Sequence, residues 1–282
     1  MICHSDIKDF GAFLAAEEAS PATIARYVSI VSDFCAFAGD RPLTKELLIA
    51  WRDSLRAAPG TINVACAAVN RFMICLGRED LRLRYVKTQR RIFRDEEREL
   101  SRAEYERLIE TAERGGNERL ARAIETIGAT GIRVSELRYI TVESLARREV
   151  TIYNKGKYRC ILLTAALARK LRAYCRAGHI RRGPVFVTRT GRPLGRGQLW
   201  DEMKRLCAAA GVDPKKVFPH NLRHLFAVTF YRLHRDVVKL ADILGHSSVD
   251  TTRIYLATSG REHRRELEEL GLVLRGKRLK AG

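Results

Sequence analysis

The sequence predicts a mainly α-helical chain of two domains, with a small β-sheet inserted in the second. Three observations lead there. Apolar residues recur at helical spacing over most of the chain, and capping residues stand where each run begins. A basic stretch without apolar periodicity separates two such regions. One segment, "EVTIYNKGKYRCILL", changes to the β-branched and aromatic pattern of a strand pair, broken at Asn154-Lys155-Gly156-Lys157.

Taken in order, Ile7, Phe10, Phe13 and Leu14 place a first helix. Ser20 caps a second, with Pro21 at its first position and Gly39 as its stop. Thr44 opens a third through Trp51 and Leu55, and Gly60-Thr61 a fourth that ends near Gly77. Composition then shifts to "REDLRLRYVKTQRRIFRDEEREL", which reads as an extended basic linker. Ser101 and Glu104 form a capping box before "YERLIETA". Further helices are predicted over "NERLARAIETIGATG" and Arg133–Ile140. After the strand pair, "PVFVTRTGRPL" predicts one more strand and a turn. Helices follow over roughly 195–210, 221–233, 235–244, 248–256 and 261–269. The domain boundaries are therefore 1–80, a linker 81–99, and 100–282 with a tail from about 257. The first helix begins almost at Met1, so this sequence is expected to lack a small separate domain ahead of it, as a simple form of the protein or as part of a longer one.

The chain carries 52 Lys and Arg against 33 Asp and Glu, a formal charge of +19 over 282 residues. A folded protein so unbalanced is drawn to a polyanion, and nucleic acid is the commonest. Ribosome association or an anionic membrane surface are the other readings of charge alone. No apolar run reads as a membrane span, since Asn63, Asn70 and Arg71 interrupt the best one, and no signal peptide is evident. A cytoplasmic, nucleoid-associated protein is expected. The seven cysteines are scattered, without a C-x-x-C pair, which argues against a disulfide framework or zinc site and for small core residues.

Four short segments of the second region carry chemistry: "ATGIRVSEL" with Arg133 and Glu136, "YNKGKYR" with Lys155, "PHNLRH" with His220 and Arg223, and "LGHSSVDTTRIY" with His246 and Tyr255. At these segments the sequence resembles the tyrosine recombinase family, which includes phage integrases, transposon integrases and bacterial chromosome-dimer resolvases. H-x-x-R alone is a weak signal, but four pieces in the family's order and at its intervals are a strong one. The resemblance implies a helical core-binding domain followed by a mixed α/β catalytic domain. The helical first part matches only in length and helix content.

The expected activity is site-specific cleavage and rejoining of duplex DNA through a 3′-phosphotyrosyl bond and a Holliday junction, without metal, ATP or other cofactor. Breaking a phosphodiester without metal needs a nucleophile, positive charge on the non-bridging oxygens and a proton for the leaving 5′-oxygen. Arginine suits the second task, being planar, always charged and bidentate toward phosphate, so Arg133 and Arg223 form the clamp. Tyr255 is the nucleophile. A free phenol titrates at about 10, so it needs help to lose its proton. His220 is the candidate base, and His246 the phosphate's hydrogen-bond partner, able to share acid–base work. Lys155 fits as general acid, with Lys157 its competitor because this hairpin is one residue shorter between the lysines than the common family form.

Glu136 sits one turn after Arg133, where the family places a supporting carboxylate; a plain i, i+3 surface pair is the alternative. His224 reads as structural, Tyr153 and Tyr158 as sheet packing, and Tyr231 as core. His4, His179, His234 and His263 read as surface residues. In the linker, Arg82, Arg84, Lys87, Arg90 and Arg91 are candidates to track a DNA backbone.

The implied partners are double-stranded DNA with inverted half-sites and further copies of this chain, two on a site and four in synapsis. DNA-bending accessory proteins are compatible with this and unmarked in the sequence. The tail after Tyr255 carries Leu270, Leu272, Val273 and Leu274 after a charged helix, fit to dock on a neighbouring protomer or to pack within its own. Rival readings are a type IB topoisomerase-like enzyme that relaxes DNA, and a DNA-binding regulator without catalysis.

Overall fold

The computed structural model describes residues 4–87, 96–154, 157–246, 248–255 and 260–272. It divides into two compact units, 1–91 and 92–282.

The first unit is built from α1 (His4–Ala16), α2 (Pro21–Ala38), α3 (Lys45–Ser54) and α4 (Pro59–Cys75), then a 3₁₀ turn at Glu79–Leu81. Its caps follow the sequence. Ser20 accepts from the Thr23 amide, Pro21 takes the first turn of α2, and Thr44 accepts from Leu47. Phe10, Phe34, Leu48, Phe72 and Met73 are fully buried. Phe10 meets Phe72 edge to face at 5.3 Å, and Phe34 meets Trp51 at 5.2 Å.

Residues 82–87 open the expected extended basic linker. They are extended but pinned to α4 by two asparagines seven residues apart. Asn70 Nδ2 donates to the Leu83 carbonyl at 2.9 Å and Asn70 Oδ1 accepts from the Leu83 amide at 2.6 Å. Asn63 repeats the pattern at Val86, at 3.0 and 2.8 Å. A carboxamide mimics a backbone peptide, so α4 binds the segment as a strand edge would. Leu81 and Leu83 consequently face the core while Arg82, Arg84 and Lys87 face solvent. Arg90 and Arg91 lie outside the described residues.

The second unit opens with a 3₁₀ turn at Glu96–Arg98, then α5 (Arg102–Arg114) with the Ser101–Glu104 capping box in place. Its centre is α6 (Glu118–Thr130). Leu120, Ile124 and Ile127, at i, i+4 and i+7, are buried among α5 and the later helices. After Gly131 the chain runs through a 3₁₀ stretch (Val134–Tyr139), α7 (Val142–Arg147), the antiparallel strands β1 (Glu149–Asn154) and β2 (Lys157–Leu162), and α8 (Ala165–Ala177). It continues with α9 (Arg196–Ala210), a 3₁₀ turn (Pro214–Lys216), α10 (Pro219–His234), α11 (Val237–Leu244), the short α12 (Val249–Thr252) leading into a 3₁₀ turn (Arg253–Tyr255), and α13 (Gly260–Glu269).

Three local expectations are corrected. Residues 134–139 form a 3₁₀ stretch rather than an α-helix, set between the Gly131 stop of α6 and the Thr141 cap of α7 and opened by the Glu136 carboxylate accepting from the Arg133 amide. "PVFVTRTGRPL" makes no strand; it has isolated bridges at Thr141–Pro184 and Val187–Pro193, where each proline lacks the N–H a ladder needs. Helix α8, not predicted, is capped by Thr164 and buries Leu167, Leu171 and Cys175. Among the described residues, no helix is long and apolar enough to cross a membrane. Leu267, Leu270 and Leu272 near α13 are exposed.

Candidate active site

The site forms where the ends of α6 and α11 meet α10 and β2. Gly131 ends α6 in the left-handed conformation (φ 65°), and a Cβ there would sit 2.4 Å from Phe226, so only glycine lets α6 and α10 approach. The chain leaves this turn extended and Arg133 follows. Its amide donates to Glu136 Oε2 at 2.7 Å and its Nη1 to Oε1 at 3.1 Å. Glu136 is 2% exposed. It is therefore buried between cations rather than placed on the surface.

On α10, Pro219 occupies the first turn and Asn221 anchors the helix by donating to the carbonyls of Arg98 and Lys216, at 2.6 and 2.7 Å. Arg223 is buried at the centre of the site. Its Nη1 donates to the Gly131 carbonyl at 2.6 Å, and its Nη2 to the Leu244 carbonyl at 2.7 Å and to His246 Nε2 at 2.9 Å. It also hydrogen-bonds the Tyr255 side chain. One guanidinium thus holds two backbone turns, a histidine and the tyrosine.

These contacts set the tautomer of His246. A guanidinium only donates, so Nε2 is an acceptor, the ring is neutral, and its proton lies on Nδ1, which donates to Thr252 Oγ1 at 2.8 Å. Burial, and then the charges of Arg223, Arg133, Arg159 and His220, push the His246 pKa down to about 4. Tyr255, 3% exposed, ends the 3₁₀ turn, stacks on His246 with centroids 6.0 Å apart, and touches the His224 ring at 5.2 Å. His224 in turn pairs with Glu99 at 3.1 Å. His220 lies on the rim. With Arg133, Ser135, Arg196, Trp200 and Arg223 it lines a cleft of about 480 Å³. Burial against the cleft wall, and then the same arginines, lower its pKa.

The structure therefore brings Arg133, Glu136, Arg223, His246 and Tyr255 into one contact network, with His220 beside it. Lys155 lies outside the described residues. Arg82, Arg84 and Lys87 belong to the other unit. Tyr153 and Tyr158 pack on each other across the strands at 4.8 Å, on the exposed face of the sheet.

The sequence reading passed over Arg159. It lies on the inward face of β2, opposite Ile152, donates to the Leu244 carbonyl at 2.7 Å and stands 3.4 Å from Glu136. Burial pushes its pKa down to about 10, which leaves it charged. A charged residue in register with the apolar Ile161 and Leu163 was the signal for it. Two guanidiniums, Arg133 and Arg159, consequently share the buried Glu136 carboxylate, Arg223 adds a third positive charge nearby, and the surplus calls for an anion. Among the described residues no cluster of His, Cys, Asp and Glu could hold a metal ion.

Gly245 ends α11 at φ 62°, and a Cβ there would fall 2.4 Å from Arg159 Cδ. Gly245→Ala combines strain with overlap and is expected to destabilise the second unit by about 2–4 kcal/mol, measured by thermal denaturation.

A pH dependence follows from His246. An unfolded histidine titrates at about 6.5, so the unfolded chain takes up this proton first. The contribution of neutral His246 is complete above pH about 6.5 and fades as pH falls through the folded value of about 4. Stability of the second unit is expected to drop over that window, and less steeply in His246→Gln; melting curves across it check this.

Comparison with known proteins places the chain in a class. Over 266 residues the chain is 30% identical to the tyrosine recombinase XerC of Erythrobacter litoralis, spanning 88% of this chain and 86% of that one. The crystal structure of XerA recombinase is similar at 25% identity and TM-score 0.53, over 96% of this chain and 99% of that one. A lambda integrase (75–356) dimer bound to a COC′ core site shares the fold at TM-score 0.73 and 17% identity, over 99% of this chain and all of that one. The class is that of the site-specific tyrosine recombinases. The profile of the phage integrase family matches residues 98–262, from the turn before α5 into α13, and the chain belongs to that family.

Proposed function

We propose that this recombinase cleaves and rejoins duplex DNA through Tyr255. The observation that carries the proposal is the buried Arg223, whose guanidinium joins His246 and the Tyr255 side chain. A backbone phosphate between Arg133 and Arg223 neutralises the charge surplus. The Tyr255 oxygen attacks phosphorus, the bond to the 5′-oxygen breaks, and a 3′-phosphotyrosyl ester remains. His220, kept neutral, accepts the phenolic proton, and Lys155 protonates the departing oxygen. A 5′-hydroxyl from a second duplex reverses the step, so ligation conserves bond energy and proceeds through a four-way junction.

In this reading two copies occupy inverted half-sites and four form the synapse, with the exposed leucines around α13 available to a neighbouring copy. The core-binding role falls to the first unit, and the exposed Arg82, Arg84 and Lys87 track phosphates. Arg84→Ala is expected to reduce the slope of log affinity against log salt by about 1, measured by half-site titration.

The test is a library of randomised duplexes, each with one nick, incubated with the protein in EDTA without ATP. The expected result is a covalent adduct on a 3′-phosphate, and sequencing the captured strands defines the site. Selective binding without an adduct would establish a regulator instead. Relaxation of supercoiled DNA at no preferred sequence would establish a topoisomerase-like activity.

A further inference from the structure

We propose that Arg159 is a positioning residue of the strand-exchange site: its buried guanidinium ties β2 to the Leu244–Gly245 turn and shares Glu136 with Arg133, and so fixes Arg133 for the phosphate and holds His246 against Arg223. The inference rests on the reaction proposed above.

Four observations carry it. The Arg159 side chain is 10% exposed and faces inward from the two-stranded sheet, where its neighbours Val150, Ile152 and Ile161 are apolar. Its Nη1 donates to the Leu244 carbonyl at 2.7 Å, the same oxygen that receives Arg223 Nη2 at 2.7 Å. That carbonyl closes α11 two residues before His246, so both arginines hold the turn that presents the imidazole. The same Nη1 stands 3.4 Å from Glu136, whose other oxygen contacts hold Arg133. Finally, Gly245 leaves the space that Arg159 fills, since any Cβ there would overlap its Cδ.

Packing alone does not account for a cation at this position. Arg159 Nε and Nη2 have no hydrogen-bond partner among the described residues. An apolar side chain of the same length would fill the space without leaving buried donors unpaired. What an apolar residue would lose is the bond to the Leu244 carbonyl, the second partner of Glu136 and the charge beside His246. The groups facing His246 are Arg223 and His220 from α10, Arg133 from the turn after α6, Arg159 from β2, and Tyr255. Arg159 is the one cation among them that comes from the sheet.

The experiment compares wild type, Arg159→Met and Arg159→Lys on the duplex recovered from the library. Adduct formation, half-site affinity, melting temperature and the His246 titration by NMR are read for each. Met preserves the packing and removes the charge and the donor. It is expected to slow cleavage on the order of 10²-fold, as a misplaced reacting group does, with affinity within about twofold of wild type, and to raise the His246 titration. Lys can reach one of the two acceptors and should recover a large part of both. A Met variant that folds and matches wild type in cleavage and in the His246 titration overturns the inference. If Met prevents folding while Lys cleaves and titrates as wild type, the residue serves stability only and the inference is again overturned. Absence of any adduct from wild type defeats the reaction proposed for Tyr255 instead, and is recognised before the variants are compared.

Discussion

Tyr255→Phe is expected to abolish the covalent protein–DNA adduct while half-site binding stays within about twofold of wild type. The ring is buried against His246 and His224, and phenylalanine reproduces that packing. The loss is confined to one hydroxyl and its hydrogen bond to Arg223, a stability change of about 1 kcal/mol. Chemistry responds differently, because no other group in the network can form the ester. Removal of a nucleophile from an otherwise intact site lowers turnover on the order of 10⁴–10⁶-fold. Denaturing electrophoresis of the nicked duplex after incubation reads the result. An adduct of undiminished yield in the variant would move the nucleophile elsewhere, and the exposed Tyr153 and Tyr158 on the hairpin would be the first positions to examine.

Arg223→Ala is expected to affect stability and chemistry together. The wild-type guanidinium satisfies the carbonyls of Gly131 and Leu244, both at buried turns, as well as His246 Nε2. Alanine leaves the Gly131 carbonyl and His246 Nε2 without this donor and leaves the Leu244 carbonyl to Arg159 alone. Breaking a buried charged network of this kind destabilises by about 3–5 kcal/mol. Loss of one donor aimed at transition-state charge lowers cleavage by about 10²–10³-fold, and release of His246 should place the fall at or beyond the upper end. The imidazole also loses the largest of the charges that depress its pKa, so its titration moves up toward the ordinary histidine value. Arg223→Lys, which keeps a charge but cannot span three acceptors, should fall between. Thermal denaturation and adduct yield at a temperature where the variant is folded separate the two effects. A stable variant with normal cleavage would place the phosphate away from Arg223.

Much of the architecture was legible because helix boundaries are decided by contacts a few residues long. Ser20-Pro21, Thr44 and the Ser101–Glu104 box mark helix starts in the sequence and do so in the structure. The elements missed were those where such signals conflict. Helix α8 follows a strand pair after only a short turn. The stretch after Arg133 has a helical composition but folds as a 3₁₀ turn, and prolines silence the strand expected around Phe186. In the site, the motif residues were readable one by one. Arg159 was not, because its role depends on which side of the hairpin it faces and on a carbonyl 85 residues away.

By itself, then, the sequence determined most of the helices and their caps, the two-part division, the family and the candidate residues for the chemistry. These follow from periodicity, capping and short motifs, all local properties of the chain. Only the tertiary structure decided that Glu136 is buried between Arg133 and Arg159, that His246 is neutral with its proton on Nδ1, and that Tyr255 is buried against His246 and His224. Protonation and burial depend on desolvation and on charges brought together from α6, β2, α10 and α11. No spacing along the chain records those distances; they exist once the segments have packed.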